Sequence, residues 1–479
     1  MYPRVPLRRK ILICIVLGFI SYLFWTNSLR HLTHNAGDRQ PIIVPDDYNA
    51  QSADSSAHGY AQGSRSNDPE TENKEPEQEE VTQKVVRRLW FMTDGEVRPQ
   101  PTSGPKRNVS LFPGEAPGDD RIVNQLMYVP HDYEEIKRSE KKKRILLYHG
   151  ETWSWNTETG SGWFEKNKCP VDTCEITTTV SEANSVDIVI YKDQYIPSIF
   201  RRPPNQIWML YMLECPYHTQ HMRHNDVFNW TATYRHDSDI VAPYEKWIYF
   251  DNNVKQKDRP DMNYAAQKSK LVAWFVSNCA AKNRRLEYAY ELQRHIQVDL
   301  YGSCGPLKCP RSEKCFQMLD TTYKFYLAFE NSNCVDYVTE KLFVNGLQHN
   351  VIPIVMGARR EDYANAAPYH SYIHVDDFDS PKHLAEYLHR LNEDDELYNS
   401  YFLWKGTGQF VNTYFFCRVC AMIHSDYPTK TYRNINEWWR GPGICTSASW
   451  RKYNRSNSDL IKPKGRFSQS ISKKTRTAT

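Results

Sequence analysis

The sequence predicts an α/β protein with two domains, each built on a parallel sheet. Three observations carry that prediction. Between about residues 141 and 455, apolar runs of four to seven residues recur without alternating, as strands covered on both faces do. Segments with apolar residues at helical spacing separate them, and strand–helix alternation implies right-handed parallel units. The runs fall into two groups, split by the polar stretch Asp251 to Lys270, which reads as a linker.

The first group contains Ile145–Tyr148, Asp187–Tyr191 and Ile207–Leu213. The second contains Leu271–Ser277, Val298–Tyr301, Phe325–Phe329, Ile352–Met356 and Tyr372–Val375. Helices are predicted over Arg285–Ile296, Thr339–His349 and Pro381–Asn392, the last with Pro381 near its start, where proline is tolerated. The resulting boundaries are a tail (1–10), an apolar segment (11–29), a stem (30–140), a first domain (141–265), a second domain (266–455) and a polar basic tail (456–479).

Composition narrows the class. Hydrophobic residues make up 40% and aromatics 13%, which excludes a mostly disordered chain or a rod. Net charge is only +4, so nothing points to nucleic acid as a partner. A mean hydropathy of −0.70 excludes a many-span membrane protein. One span is a candidate: Ile11–Trp25 is nearly all apolar and follows Arg8, Arg9 and Lys10. It is short against the ~20 residues a bilayer needs, and Asn27–Leu29 extend it. The alternative is a cleaved signal peptide, but no small-residue cleavage site follows. Basic residues before the span place residues 1–10 in the cytosol. The expectation is a single-pass type II protein of the Golgi membrane with its folded part in the lumen. The stem carries the acidic run Asn67–Glu80 and is too polar to order itself.

Twelve cysteines, with Cys14 in the apolar run, leave eleven for the rest of the chain. Several lie at short range, Cys169/Cys174, Cys304/Cys309 and Cys417/Cys420, and read as disulfides in an oxidising compartment with at least one thiol left free. A zinc site on Cys417 and Cys420 is the competing reading, weakened by the lack of a second tight ligand pair. Asn108, Asn229 and Asn454 each begin a glycosylation sequon, as suits the secretory route.

The densest chemical signal runs from Lys324 to Gly357. A buried strand ends at Glu330-Asn331-Ser332, a polar loop follows, and a helix begins near Thr339. Ligands of parallel α/β domains collect at strand carboxyl ends, and helix N-termini attract anions. Lys341 in the first helical turn can meet a phosphate, and Glu340 can accept hydrogen bonds from both ribose hydroxyls. A nucleotide-diphosphate sugar requires that pair.

Phe329-Glu330-Asn331-Ser332, then Asp336-Tyr337-Val338-Thr339-Glu340-Lys341-Leu342, then Pro353, resembles the signature of the α1,3-fucosyltransferases, glycosyltransferase family 10. The segments Trp208–Pro216, Asn229–Ile240, and Phe275–Asn278 followed by Arg284-Arg285 resemble the family in order, so the likeness covers about residues 141–425. It implies two facing Rossmann-like domains of the GT-B type, GDP-fucose as donor, and inversion at the anomeric carbon. It makes Glu214 the general base, with a pKa expected to be raised by desolvation. Lys341 and Arg285 would hold the pyrophosphate and Glu340 the ribose. Asn331 and Tyr337 would be further donor contacts, Ser277 and Asn278 would border the phosphates, and Arg235 would approach the donor or the domain interface. No cofactor is required, a divalent cation (Mn or Mg) acting as a stimulant at most. The family also links an early cysteine pair to a late CxxC, here Cys169 and Cys174 with Cys417 and Cys420. Where its pattern has Ser between the base and proline, this chain has Cys215.

The C-terminal part, Tyr401–Cys420, Asn436–Trp439 and Gly443–Cys445, resembles invertebrate enzymes that fucosylate the Asn-linked N-acetylglucosamine of N-glycan cores. The alternative acceptor is N-acetylglucosamine of outer lactosamine branches. A metal-dependent transferase using Asp237-Ser238-Asp239 or Asp377-Phe378-Asp379 is a rival within enzymes. A membrane-tethered glycan-binding protein stacking sugars on Trp163, Trp208 and Trp404 is a rival outside them.

Overall fold

A computed structural model describes residues 87–104, 109–116, 118–148, 157–197, 200–309, 313–425 and 430–452. The apolar segment 11–29, most of the stem, the sequons at Asn108 and Asn454 and the basic tail lie outside the described residues. Among the described residues, no helix is long and apolar enough to cross a membrane. All elements below belong to one compact unit, residues 80–153 and 158–479; of the other unit, residues 1–79 and 154–157, only Thr157 is described.

The first sheet contains β1 (Lys143–Leu147), β2 (Cys174–Thr177), β3 (Ile188–Lys192), β4 (Ile207–Met212) and β5 (Trp230–Thr233). Their order is β2-β1-β3-β4-β5 and every pairing is parallel. After β6 (Lys246–Tyr249), the second sheet takes β7 (Lys270–Phe275), β8 (Val298–Tyr301) and β9 (Tyr323–Phe329). It is completed, beyond the short β10 (Asn333–Cys334), by β11 (Ile352–Met356) and β12 (Ile373–His374). Its order is β12-β11-β9-β7-β8, again all parallel. Every residue of the central strands β9 and β11 is buried, which explains their unbroken apolar runs. Helices Arg285–Gln293 and Pro381–Glu393 cover the second sheet, the latter capped by the Ser380 side chain.

Two of the strands are hidden in the sequence by their polarity. In β5, Thr231 and Thr233 are completely buried. Their hydroxyls lie 3.1 Å from Asp239 Oδ2 and 2.7 Å from Ser238 Oγ, so two threonines enter a core without an unpaired polar atom. Asn229, next to β5, is 2% exposed. Its Oδ1 accepts from the Trp208 N–H at 2.9 Å and its Nδ2 donates to the Lys430 carbonyl at 2.8 Å. The Asn229 sequon therefore marks a buried amide that closes the sheet, which corrects its reading as a glycan site. Edge strand β2 is short and alternates toward solvent at Glu175.

The described residues begin at Arg87, inside the segment read as stem. Trp90, Phe91, Leu111 and Phe112 are buried, and helix Arg121–Leu126 packs onto helix Phe415–Ile423. Of the 251–270 stretch, residues 251–269 have no helix or strand, yet they pack tightly: the Tyr264 ring stacks on Phe402 at 4.2 Å and Lys268 Nζ donates to the Leu319 and Tyr323 carbonyls.

Cysteine pairing departs from short range. Cys169 joins Cys417 and Cys174 joins Cys420, as the family resemblance implies. With sequence separations of 248 and 246, they return helix Phe415–Ile423 from the second half of the chain to the first sheet. The first bridge to form removes about 5 kcal/mol of unfolded-chain entropy on the loop-closure picture, and the second adds little because the long loop is already closed. Cys304 pairs with Cys279, not Cys309, because the loops after neighbouring strands β7 and β8 meet at the sheet's end. Cys309 pairs with Cys315 and Cys334 with Cys445, leaving Cys215 as the free, buried thiol among the described residues. Cys417 and Cys420 are thus consumed by disulfides rather than by zinc.

The buried amide yields a prediction. Peptide mapping of the full chain should find Asn229 unglycosylated. Asn229→Gln, the usual test of a sequon, should lower the thermal midpoint, since it misplaces the partner of the buried Trp208 N–H at a cost of about 1–3 kcal/mol.

Candidate active site

The site forms where the carboxyl ends of β4 and β9 meet. Beyond β4 the chain runs Leu213-Glu214-Cys215-Pro216, and beyond β9 it runs Glu330-Asn331-Ser332. The Glu214 side chain remains 43% exposed. Its Oε1 accepts from the Cys215 N–H at 2.8 Å, the Tyr337 hydroxyl at 2.8 Å and the Asn331 amide at 3.3 Å. His218 Nδ1 lies 3.6 Å from the same oxygen. Asn331 and Tyr337, expected as donor contacts, therefore converge on Glu214.

That convergence corrects the expected electrostatics of Glu214. Partial burial does push its carboxyl up, but His218, the Cys215 N–H and the Tyr337 hydroxyl together outweigh it and pull the pKa down to about 2. The sequence showed the apolar run before Glu214 but not the hydrogen-bond donors that the fold brings to it.

Glu330 is fully buried and anchors the other half of the site. Its carboxylate accepts from the Thr339 N–H and hydroxyl, both at 2.9 Å, and pairs with Lys341 Nζ at 3.1 Å. Lys341 also contacts Glu340 at 3.0 Å. Burial disfavours the Lys341 ammonium, yet the two carboxylates raise its pKa above the ordinary lysine value. Burial likewise opposes charge on Glu340, but Lys341 holds its carboxyl below the usual range. The side chains of Glu340 and Lys341 are 23% and 21% exposed, so the ion pair can be reached by a ligand. Gly357, at the end of β11 with φ of 152°, makes room for Glu330: a Cβ there would lie 2.5 Å from Glu330 Cγ. Glu330 stands inside the recognised motif, but only its burial reveals it as the counter-charge of Lys341.

The remaining expected residues are placed differently. Ser277 and Asn278 are exposed on the loop after β7, which Cys279–Cys304 ties to the loop after β8. Arg285 is 4% exposed and faces inward. It donates to the Phe329 carbonyl at 2.6 Å and the Asn278 carbonyl at 3.1 Å, while its Nε has no partner. It thereby ties the end of β9 to the rim loop. Arg235 lies outside this cluster: it chelates Asp237 at 2.9 and 2.5 Å and stacks over Trp438 at 4.5 Å. Its neighbour His236 approaches Asp336 at 2.5 Å, linking the loop after β5 to the loop after β10.

The rival motifs are committed elsewhere. Asp237 serves Arg235, and buried Asp239 serves Thr231, Tyr432 and Lys430. Asp377 and Asp379 pair with Arg360 and Arg451. Trp163, Trp208 and Trp404 are buried in aromatic clusters and present no face to a sugar. A polar surface cavity lined by Arg98, Tyr133, Lys137 and Asp172 contains none of the site residues.

Comparison with known proteins agrees with this arrangement. Residues 140–245 match the family model "Fucosyltransferase, N-terminal", and residues 265–438 match "Glycosyltransferase family 10 (fucosyltransferase) C-term". This chain belongs to glycosyltransferase family 10: it is an α1,3-fucosyltransferase. It is 56% identical to glycoprotein 3-alpha-L-fucosyltransferase A of Drosophila melanogaster, over 81% of this chain and 79% of that one. Alpha-(1,3)-fucosyltransferase C of the same organism is 36% identical, over 60% of this chain and 73% of its own. A human 4-galactosyl-N-acetylglucosaminide 3-alpha-L-fucosyltransferase is 38% identical, over 62% and 79% respectively. The boundary between the two family segments falls in the stretch that separates the two sheets of this fucosyltransferase.

Two predictions follow from the site's electrostatics. Tyr337→Phe removes a donor to Glu214, so the carboxyl's pKa rises. On the expectation that Glu214 is the general base, the acid limb of kcat/KM shifts to higher pH, by about one unit, which a pH–rate profile measures. Lys341→Ala leaves Glu330 buried without its counter-charge, at an expected cost of about 3–5 kcal/mol. Thermal unfolding of Lys341→Met with Glu330→Gln should recover much of that loss, so donor affinity is best compared in the double variant.

Proposed function

We propose that this enzyme moves L-fucose from GDP-fucose, with inversion, onto the Asn-linked N-acetylglucosamine of N-glycans on glycoproteins. The observation that carries the reading is the convergence of Glu214 with Asn331 and Tyr337 of the loop that ends at the Glu340–Lys341 pair. One loop thus holds the base, through Asn331 and Tyr337, and carries the donor-side charges. In the proposed step Glu214 takes the proton of the acceptor hydroxyl as its oxygen attacks carbon 1 of fucose. The bond from that carbon to the β-phosphate oxygen breaks on the opposite face, and GDP leaves with the electron pair. Lys341 balances the charge that develops on the leaving diphosphate, and Glu340 receives the ribose hydroxyls. Arg285 acts on this site by holding the loop ends, with Ser277 and Asn278 at the phosphate rim. Because Lys341 supplies positive charge at the diphosphate, a divalent cation such as Mn or Mg is a stimulant rather than a requirement.

The core acceptor is supported by the 56% identity with an enzyme named for glycoproteins, against 38% with one named for galactosylated N-acetylglucosamine. A luminal site in the Golgi, reached by the 11–29 anchor, is supported by five disulfides, which need an oxidising compartment.

The test incubates the full chain with GDP-fucose and two acceptors, a glycopeptide with an ungalactosylated N-glycan and free lactosamine. Mass spectrometry should place fucose on the innermost N-acetylglucosamine alone. Fucose on lactosamine alone would replace the acceptor assignment by the outer-branch one. Glu214→Gln should abolish transfer while GDP still binds; retained transfer would remove Glu214 from the mechanism.

A further inference from the structure

Beside the base lies a set of atoms that the transfer reaction does not need. Cys215 Sγ is 3.5 Å from His218 Nδ1, and that nitrogen is 3.6 Å from Glu214 Oε1. The three ligand atoms all fall within 4.8 Å of one another. A tetrahedral zinc ion, with bonds of about 2.3 Å to sulfur and about 2.0 Å to nitrogen and oxygen, sets its ligand atoms roughly 3.3–3.6 Å apart. The sulfur–nitrogen and nitrogen–oxygen separations here already stand close to that spacing.

The arrangement is fixed before any ion arrives. The His218 N–H donates to the Cys215 carbonyl at 3.0 Å, closing a turn that carries Pro216. The Thr219 hydroxyl donates to the Cys215 carbonyl and is itself held at 2.8 Å by Trp439 Nε1. Cys215 is the free thiol among the described residues, whereas the other cysteine–histidine cluster, Cys174, Cys420 and His424, has both sulfurs in a disulfide. Ser332 Oγ, 3.1 Å from the sulfur, stands near for a fourth position.

We propose that Glu214, Cys215 and His218 form an inhibitory site for a soft divalent cation of the zinc class. A thiolate–imidazole–carboxylate set selects such ions over magnesium or manganese, which prefer oxygen. Binding exchanges the thiol proton for the metal: the S–H bond breaks, an S–Zn bond forms, and the proton goes to solvent without any change of oxidation state. The ion occupies the Glu214 lone pair that would receive the acceptor proton. The Glu340–Lys341 pair is left free, so the donor still binds. The inhibitory consequence rests on Glu214 being the base; the metal site itself does not.

The test uses the full chain with zinc and cobalt as probes. Free zinc should raise the apparent KM for the acceptor, leave GDP binding unchanged, and be reversed by EDTA, while magnesium at the same concentration does not inhibit. Cobalt should give a thiolate-to-metal charge-transfer band that is absent in Cys215→Ser. The zinc needed for half-inhibition should rise at least about 10–100-fold in Cys215→Ser. His218→Gln should weaken the band and the inhibition in parallel, giving a second variant should the first fold poorly. Equal zinc sensitivity in wild type and both variants, or no cobalt band in the wild type, would overturn the site. A cobalt band with undiminished transfer would overturn the inhibitory role alone. A band in a chain that transfers no fucose would support the site and count against the base assignment.

Discussion

The buried carboxylate of Glu330 is the constraint on which the active site depends. It sits at the end of the central strand of the second sheet and receives the Thr339 N–H, the Thr339 hydroxyl and the Lys341 ammonium. Those contacts pin both ends of the loop from 330 to 341. Between the pinned ends, Cys334 is tied to Cys445 and Tyr337 enters the aromatic core of the first half, 5.0 Å from Tyr234. The same loop thus carries the Glu340–Lys341 pair and a hydroxyl that holds the Glu214 carboxylate of the opposite sheet. An unpaired carboxylate at this depth would neutralise itself, and Lys341 would lose the partner that keeps it charged and in place.

Charge balance around this loop also separates the two acids that matter. Glu330 has no exposure, and burial pushes its carboxyl up against the pull of Lys341. Glu214 is more open and better supplied with donors, so its carboxyl is pulled down. Glu214 is thus held ionised and tightly hydrogen-bonded. In the proposed transfer, an acceptor hydroxyl would replace some of those hydrogen bonds before handing over its proton, and each bond displaced would make the carboxylate more basic. Such coupling ties basicity to acceptor binding, so that the base strengthens as its substrate is seated.

The second organising device is covalent. The paired bridges from Cys169 and Cys174 to Cys417 and Cys420 bring helix Phe415–Ile423 back onto the first sheet after the chain has finished the second. Its Arg418 is wholly buried and donates to the Thr413 carbonyl and Gln125 Oε1. Gln125 in turn donates to the carbonyls of Leu111 and Asp239. Residues 109–116 and 118–126 are in this way held by the body they pack on, which their own sequence does not reveal. The loops after β4 and β5 inherit their rigidity from the same returning segment, through Trp438 on Arg235 and Trp439 on Thr219.

The sequence by itself determined the two parallel sheets and the chemistry-bearing motif, because fully buried strands such as β9 and β11 must be apolar throughout and because Glu340 and Lys341 follow a strand end. It also carried the family, through residues adjacent in the chain. Tertiary structure alone decided what depends on distant partners. Burial of Asn229, Thr231 and Thr233 rests on Trp208, Asp239, Ser238 and Lys430, and without them these residues read as a sequon and a polar loop. Arg285 reads as a pyrophosphate ligand and Arg235 as a group near the donor or the domain interface; in the fold, carbonyls engage the first and Asp237 the second. The depressed pKa of Glu214 and the gathering of Cys215 and His218 beside it follow from donors on two loops and one turn. Local sequence fixes a side chain's chemistry; its charge state and partners belong to whatever the rest of the chain folds against it.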